Sequence, residues 1–269
     1  MDKQHPDMKM MTFADQEKLA ERFWKPLREL PWWDRATVHL NPNVIDELLE
    51  LIYSKPRKNQ GSLTNAEKDN FNSAIQQSIG DGSYNTIAQI HSVMSHNMHG
   101  FMGFTGAMRF LPWHRVYLHV MEQQLQMYEP DLRIPYWDWA NDHSLPGWLM
   151  LPSGVTRGPN NSYPLPSQSD IDNTVLNQTV YANFTQALEG YHNTVHMYVG
   201  GNTMPYPSIS PHDPMFWLHH ANVDRIWATW QQTYPGVLEP LAGTDAIMDP
   251  WADTITSAND TYEYYYFYA

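Results

Sequence analysis

The stretch PHDPMFWLHHANVDRIW (211–227) places two adjacent histidines, His219 and His220, inside an apolar run. A buried imidazole without a partner is costly, so histidines in such a setting are hydrogen-bonded or bound to a metal. Neighbouring residues point about 100° apart around a helix, so both rings do not face one metal. One is expected at a metal and the other in the packing. Upstream, HNTVH (192–196) sets His192 and His196 four residues apart. That spacing puts both imidazoles on one helix face, one turn apart, which suits two ligands of a single metal.

A second group of histidines lies earlier: His91, His96, His99, His114 and His119. His91 falls on an expected helix, and His114 opens another in FLPWHRVYL (110–118). His96 and His99 lie in the connecting stretch, so two helices and a loop can enclose a second metal. His119, five residues past His114, does not share its face and is read as structural. Two three-histidine sites favour imidazole-binding metals, copper or zinc first. Three neutral imidazoles leave open coordination positions, as a reactive centre needs. Spacing alone does not separate copper, with its O2 chemistry, from zinc and hydrolysis. Dinuclear hydrolytic sites usually carry bridging carboxylates, and none is interleaved here at ligand spacing.

The surrounding sequence is that of a mainly α-helical domain with long loops and few short strands. Helices are expected over 14–30, where Pro26 ends or kinks the helix, and over 44–53. Thr64 and Asn65 are candidate caps for a helix over 63–79, with Glu67 completing the cap and Phe71, Ile75 and Ile79 on its buried face. Further helices are expected over 84–95, 109–127, 182–199 and 213–232. Residues 141–176, rich in Pro, Gly, Asn and Ser, read as a long surface loop. The tail YEYYYFY (262–268) has strand-like composition.

With 269 residues and 42% apolar content, the chain suffices for one large domain spanning 1–269, with residues 1–12 as a flexible start. A net charge of −13 disfavours nucleic acid and anionic membranes as partners. Cysteine is absent, which excludes disulfides, zinc–thiolate sites, iron–sulfur clusters and thiol nucleophiles. No apolar run is long enough to cross a membrane, and Met1 to Met11 lacks an apolar signal core. Sequons begin at Asn160, Asn177, Asn183 and Asn259, which tilts the expected location towards export. Oligomeric state is not legible.

FLPWHR (110–115), PYWDW (135–139), HNTVH (192–196) and DPMFWLHHANVDRIW (213–227) together resemble the signatures of the type 3 copper family, in the same order. That family contains tyrosinases, catechol oxidases and molluscan-type haemocyanins. The resemblance implies a four-helix bundle with one copper ion on each helix pair. It implies His192, His196 and His220 as ligands of the second copper, with His219 structural, and His91 and His114 as ligands of the first. Family members place a further ligand nine positions before the PWH histidine, but that position here is Thr105. An insertion within GFMGFTGAMRF (100–110) accounts for the shift, and His99 is the expected third ligand ahead of His96. Many members carry a cysteine thioether-linked to a copper histidine. Its absence makes the chain resemble a prokaryotic-type tyrosinase or catechol oxidase, with no C-terminal shielding domain after the tyrosine-rich tail.

What the resemblance implies for activity is use of O2 to hydroxylate monophenols and oxidise o-diphenols to o-quinones, with small phenols as substrates. Glu189 and Asn193 match residues that hold a proton-accepting water in the family. Met197 and the pair Pro207 and Ser208 match pocket positions, and a soft, apolar Met197 favours apolar phenols. The acidic chain also disfavours anionic substrates at long range. Other readings of the same ligand set are a catechol oxidase or o-aminophenol oxidase without strong monophenolase activity, and a haemocyanin-like oxygen carrier.

Overall fold

The computed structural model describes residues 56–237, 240–259, 261–264 and 266–269. The helices expected over 14–30 and 44–53, and the flexible start, lie outside these residues. Five helices organise the rest: α1 (Asn65–Gly80), α2 (Ser83–Ile90), α3 (Phe104–Gln126), α4 (Tyr181–Val199) and α5 (Met215–Thr233). The central α3 packs against each of the other four. Helices α2 to α5 bring the histidine-bearing stretches together as a bundle.

Local chemistry explains the helix starts. Thr64 Oγ1 accepts from Glu67 N at 3.2 Å while Glu67 Oε2 accepts from Thr64 N at 2.8 Å, the reciprocal cap that the sequence suggests. Phe71 and Ile75 are buried below it, and Ile79 packs at the edge of the core. Helix α2 is shorter than expected: it ends at Ile90 rather than reaching Ser95. The chain tightens there, with Ser92 and Val93 N–H groups donating to the Gln89 and Ile90 carbonyls. Asn97 then adopts a left-handed backbone at φ 51°, which a continuing helix does not allow.

Helix α3 starts earlier than expected, at Phe104, and carries Pro112 inside it. Proline has no N–H for the carbonyl four residues back. That carbonyl, on Met108, instead accepts the Tyr181 hydroxyl of α4 at 3.0 Å. Thr185 Oγ1 donates to the neighbouring Ala107 carbonyl at 3.0 Å. A potential break in α3 thus becomes a seam between α3 and α4.

Trp113, Trp137, Trp139, Trp217, Trp227 and Trp230 are all fully buried and form much of the aromatic core. The PYWDW segment seats against α5: Trp137 N–H donates to the Leu218 carbonyl at 3.1 Å and Asp138 pairs with Arg225 at 3.1 Å. Behind the bundle, Asp224 of α5 accepts from Arg115 Nε at 2.6 Å and from the Tyr266 and Tyr268 hydroxyls at 2.5 Å each. Arg57 joins this buried network through Glu122 at 3.0 Å and lies 3.7 Å from the Tyr266 ring centroid.

The tail differs from its strand-like composition. Thr261–Tyr264 form a 3-10 turn, and Tyr268 makes one isolated bridge to Arg57. Among the described residues the few expected strands reduce to such isolated bridges. The tyrosines serve the Asp224 network instead of a sheet. The long loop is irregular until Ser167 caps a short turn at Gln168–Asp170, followed by a π turn at Ile171–Leu176 that buries Ile171 and Val175. None of the described helices is long and apolar enough to cross a membrane.

Candidate metal centre

Two groups of buried imidazoles meet inside the bundle: His91, His99 and His114, and next to them His192, His196, His219 and His220. Each helix contributes for a local reason. His91 caps the C-terminus of α2, His114 lies inside α3, His192 and His196 lie one turn apart on α4, and His220 is on α5. His99 alone sits on irregular chain, extended at φ −139° before a short 3-10 turn at Gly100–Met102. The groups abut through His114 and His220, whose ring centroids lie 4.4 Å apart with planes 13° from parallel.

In the first group, His91 Nε2 lies 3.1 Å from His114 Nε2 and 3.2 Å from His99 Nε2. In the second, His220 Nε2 lies 3.1 Å from His192 Nε2 and 3.4 Å from His196 Nε2. On five of these six rings the opposite nitrogen is held by an oxygen acceptor; His220 Nδ1 has none among the described residues. His91 Nδ1 donates to the Pro207 carbonyl at 2.6 Å, His114 Nδ1 to Phe110 at 2.7 Å and His196 Nδ1 to Met204 at 2.8 Å. His192 Nδ1 donates to Asn193 Oδ1 at 3.2 Å, and His99 Nδ1 to Glu189 Oε1 at 3.2 Å.

These bonds decide the tautomers. A neutral imidazole with its proton on Nδ1 presents a lone pair at Nε2. His91 and His114 therefore point two lone pairs at each other across 3.1 Å, which repels unless a cation lies among them. His192 and His196 likewise point Nε2 lone pairs at His220 Nε2, 3.1 and 3.4 Å away, while His220 Nδ1 has no hydrogen-bond partner among the described residues and its tautomer is left to the metal. Burial keeps five of the rings neutral: it pushes His91, His114, His192 and His220 well below the ordinary histidine range and His196 down to about 4. Neutral, inward-facing imidazole nitrogens with outer partners fixing their tautomers are the donor set of a transition-metal site.

The other histidines separate from this set. His96 is half-buried and stacks on Trp113 at 6.1 Å, outside the first group. His119 packs against Tyr264 at 4.7 Å. His219 is fully buried and stacks on His192 at 5.0 Å and 15°. It belongs to the second group by proximity, yet the close Nε2 contacts to His192 and His196 are made by His220.

Of the side chains expected around the metals, Glu189 bonds to the first group and Asn193 to the second. Glu189 is buried and accepts from Gly100 N at 2.8 and 3.0 Å as well as from His99. Asn193 is exposed apart from its bond to His192, Met197 is half-buried, and Pro207 and Ser208 are exposed. Sequence reasoning missed the carbonyls of Phe110, Met204 and Pro207, because side-chain patterns carry no trace of a backbone acceptor. It also missed two phenylalanines. Phe110 lies 5.0 Å from His114 and Phe216 stacks on His220 at 4.0 Å. Each stands four residues before its histidine, so shared helix face was the available signal.

The family model for the common central domain of tyrosinase matches this chain over residues 81–163 and 152–233. A tyrosinase of Streptomyces galbus is 31% identical over 259 residues, covering 73% of this chain and 93% of that one. The grixazone synthase of Streptomyces griseus is 27% identical, covering 67% and 85% respectively. Among solved structures, a functional unit of octopus haemocyanin is similar at a TM-score of 0.65 and 26% identity, covering 79% of this chain and 67% of that one.

Proposed function

The chain belongs to the tyrosinase family, and from that premise we propose that it is a copper-dependent polyphenol oxidase that uses O2 to hydroxylate monophenols and to oxidise o-diphenols to o-quinones. His91, His99 and His114 are assigned to the first copper, and His192, His196 and His220 to the second. The observation that carries the reading is the convergence of Nε2 atoms at 3.1–3.4 Å within each group while the Nδ1 atoms of five of the six rings are held by oxygen acceptors. Such nitrogen-only sets suit copper, and no carboxylate stands among the converging atoms as a bridging hydrolytic site would need.

When bound, the copper pair supplies the electrons that reduce O2 and the oxidising power that acts on the phenol. The chain's own residues do the rest. The carbonyls of Phe110, Met204 and Pro207 orient three rings, and outer-shell bonds of this kind also raise ligand basicity. Phe110 and Phe216 cover the rings with apolar surface and limit water beside them. Glu189 and Asn193 are assigned to a water that takes the phenol proton, a carboxylate working through one water being within the reach of general base catalysis. Met197, Pro207 and Ser208 are assigned to the substrate rim. Their apolar and small side chains, with the acidic chain around them, favour neutral or cationic phenols.

Likeness to a haemocyanin unit favours one second reading, reversible O2 binding without oxidation. Catechol added to the copper-loaded protein in air distinguishes the two. Quinone absorbance growing with time supports the oxidase. A fully loaded protein that forms none is a carrier. Parallel assays with monophenols and o-aminophenols then place the substrate within the class.

A further inference from the structure

Glu189 sits on α4 three residues before His192, yet its carboxylate reaches across to the other group of imidazoles. There it accepts from His99 Nδ1 at 3.2 Å and from Gly100 N–H with both oxygens, at 2.8 and 3.0 Å. We propose that Glu189 is a positioning residue for the first copper, anchoring His99 and its loop, so that occupancy of the first site depends on a side chain of the second-copper helix. The proposal rests on the copper assignment above.

Three observations lead to it. First, His99 is the one assigned ligand without a helix to hold it. His91, His114, His192, His196 and His220 are placed by α2 to α5, whereas residues 93–103 form two 3-10 turns joined by irregular chain. Secondly, the backbone is shaped around the carboxylate. A Cβ on Gly100 would come within 2.6 Å of Glu189 Oε2, so a side chain there would push the carboxylate aside. A Cβ on Gly106 would come within 2.1 Å of the His99 carbonyl oxygen, so α3 likewise meets this loop through a bare backbone. Thirdly, a carboxylate bonded to the outer nitrogen of a metal histidine fixes its tautomer and orientation and raises its basicity. A buried carboxylate that accepts from two N–H groups, one of them shared between both oxygens, is well matched to that work. His99 lies on irregular chain before α3, and Glu189 supplies its anchoring from a different helix.

Copper per chain and resistance to a competing chelator test this without reference to turnover. Wild type is expected to hold two copper ions. In Glu189→Ala the first should bind roughly 10–100-fold more weakly, the usual effect of losing an outer-shell partner, and the second unchanged. Copper per chain then falls towards one, and a lone Cu(II) gives a spin signal that a coupled pair does not. Glu189→Gln keeps an oxygen acceptor for both N–H groups and should restore two. Combining Glu189→Ala with His91→Ala should still leave one copper, because both act at the same site, whereas combining it with His196→Ala should leave none firmly held. Two tightly held ions in Glu189→Ala, or none in the His91→Ala combination while the His91→Ala single variant keeps one, would overturn the proposal. If Glu189→Ala fails to fold, Gly100→Ala decides. Its Cβ displaces the carboxylate and should weaken the first copper alone, and full retention of both ions there overturns the idea. A wild-type chain unable to hold two ions would refute the copper assignment itself.

Discussion

His114 and His220 stack almost face to face, 4.4 Å between ring centroids and 13° between planes, so the two imidazole groups share a wall. Removing either ring should disturb both. His114→Ala and His220→Ala are expected to cut catechol oxidation by more than the roughly 10–100-fold typical of an outer-shell loss. His99→Ala should do the same, while His96→Ala, whose ring lies on Trp113 outside the group, should leave copper content intact. Metal analysis of these variants beside initial rates checks the assignment. Loss of a copper in His96→Ala but not in His99→Ala would reverse it.

The neutral imidazoles make the metal-free protein sensitive to acid. Burial lowers these histidines in the folded chain, His196 to about 4 from an ordinary 6.5. The unfolded chain therefore binds more protons between those values, and stability falls as pH drops through that window. Above about pH 6.5 the contribution is complete. Each such group can add up to about 1.4 kcal/mol of loss per pH unit. Urea unfolding of the metal-free protein at pH 7.5 and pH 5 should show a clearly lower midpoint at pH 5, and matching midpoints would contradict the burial argument.

Asn193 accepts from His192 Nδ1 and is otherwise exposed, so it can be altered without opening the core. Asn193→Asp is expected to keep most catechol oxidation while changing the ratio of monophenol to catechol rates. An unaltered ratio would remove Asn193 from the handling of the phenol proton. On the unmodified protein, kcat/KM should be higher for tyramine and a neutral phenol than for tyrosine. Equal values would take away the selectivity assigned to Met197 and the acidic chain.

Tyr181→Phe removes the hydroxyl that satisfies the Met108 carbonyl left free by Pro112. A buried acceptor without a partner costs about 1–3 kcal/mol, and that is the expected loss in chemical denaturation. Pro112→Ala restores an N–H within α3, so adding it to Tyr181→Phe should recover part of the loss. Additive destabilisation would mean that the carbonyl is not the cause.

Asp224 gathers Arg115, Tyr266 and Tyr268 at one carboxylate, with Arg57 alongside. Asp224→Ala leaves buried guanidinium groups short of a counter-charge and should cost about 3–5 kcal/mol. Tyr268→Phe removes a single bond to a charged acceptor and should cost about 1.5–3 kcal/mol. Equal effects of the two substitutions would argue that the tail, not the carboxylate, is the centre of the network.

How far these features can be read from the sequence depends on the range of the interaction. His192 and His196 are legible because helical spacing alone brings them together. The cap at Thr64 and Glu67 is legible for the same reason, being closed within one turn. The end of α2 at Ile90 is not, because it depends on how a distant segment receives His91: the Pro207 carbonyl is 116 residues away. The tyrosine-rich tail misleads because its composition suits a strand, while its hydroxyls are drawn to a carboxylate on α5. His99 is legible as a candidate and its anchor is not, since nothing local links it to Glu189, 90 residues on.

The rings of His91 and His196 are steadied by carbonyl oxygens of one short loop, at Pro207 and Met204. Every amino acid brings the same carbonyl, so the grip on the metals is indifferent to which side chains the loop displays. The exposed side chains at Pro207 and Ser208, the proposed substrate rim, can therefore be redrawn, by natural drift or by design, without touching those carbonyls. If that rim does select the phenol, selectivity can be retuned there without renegotiating the metal centre.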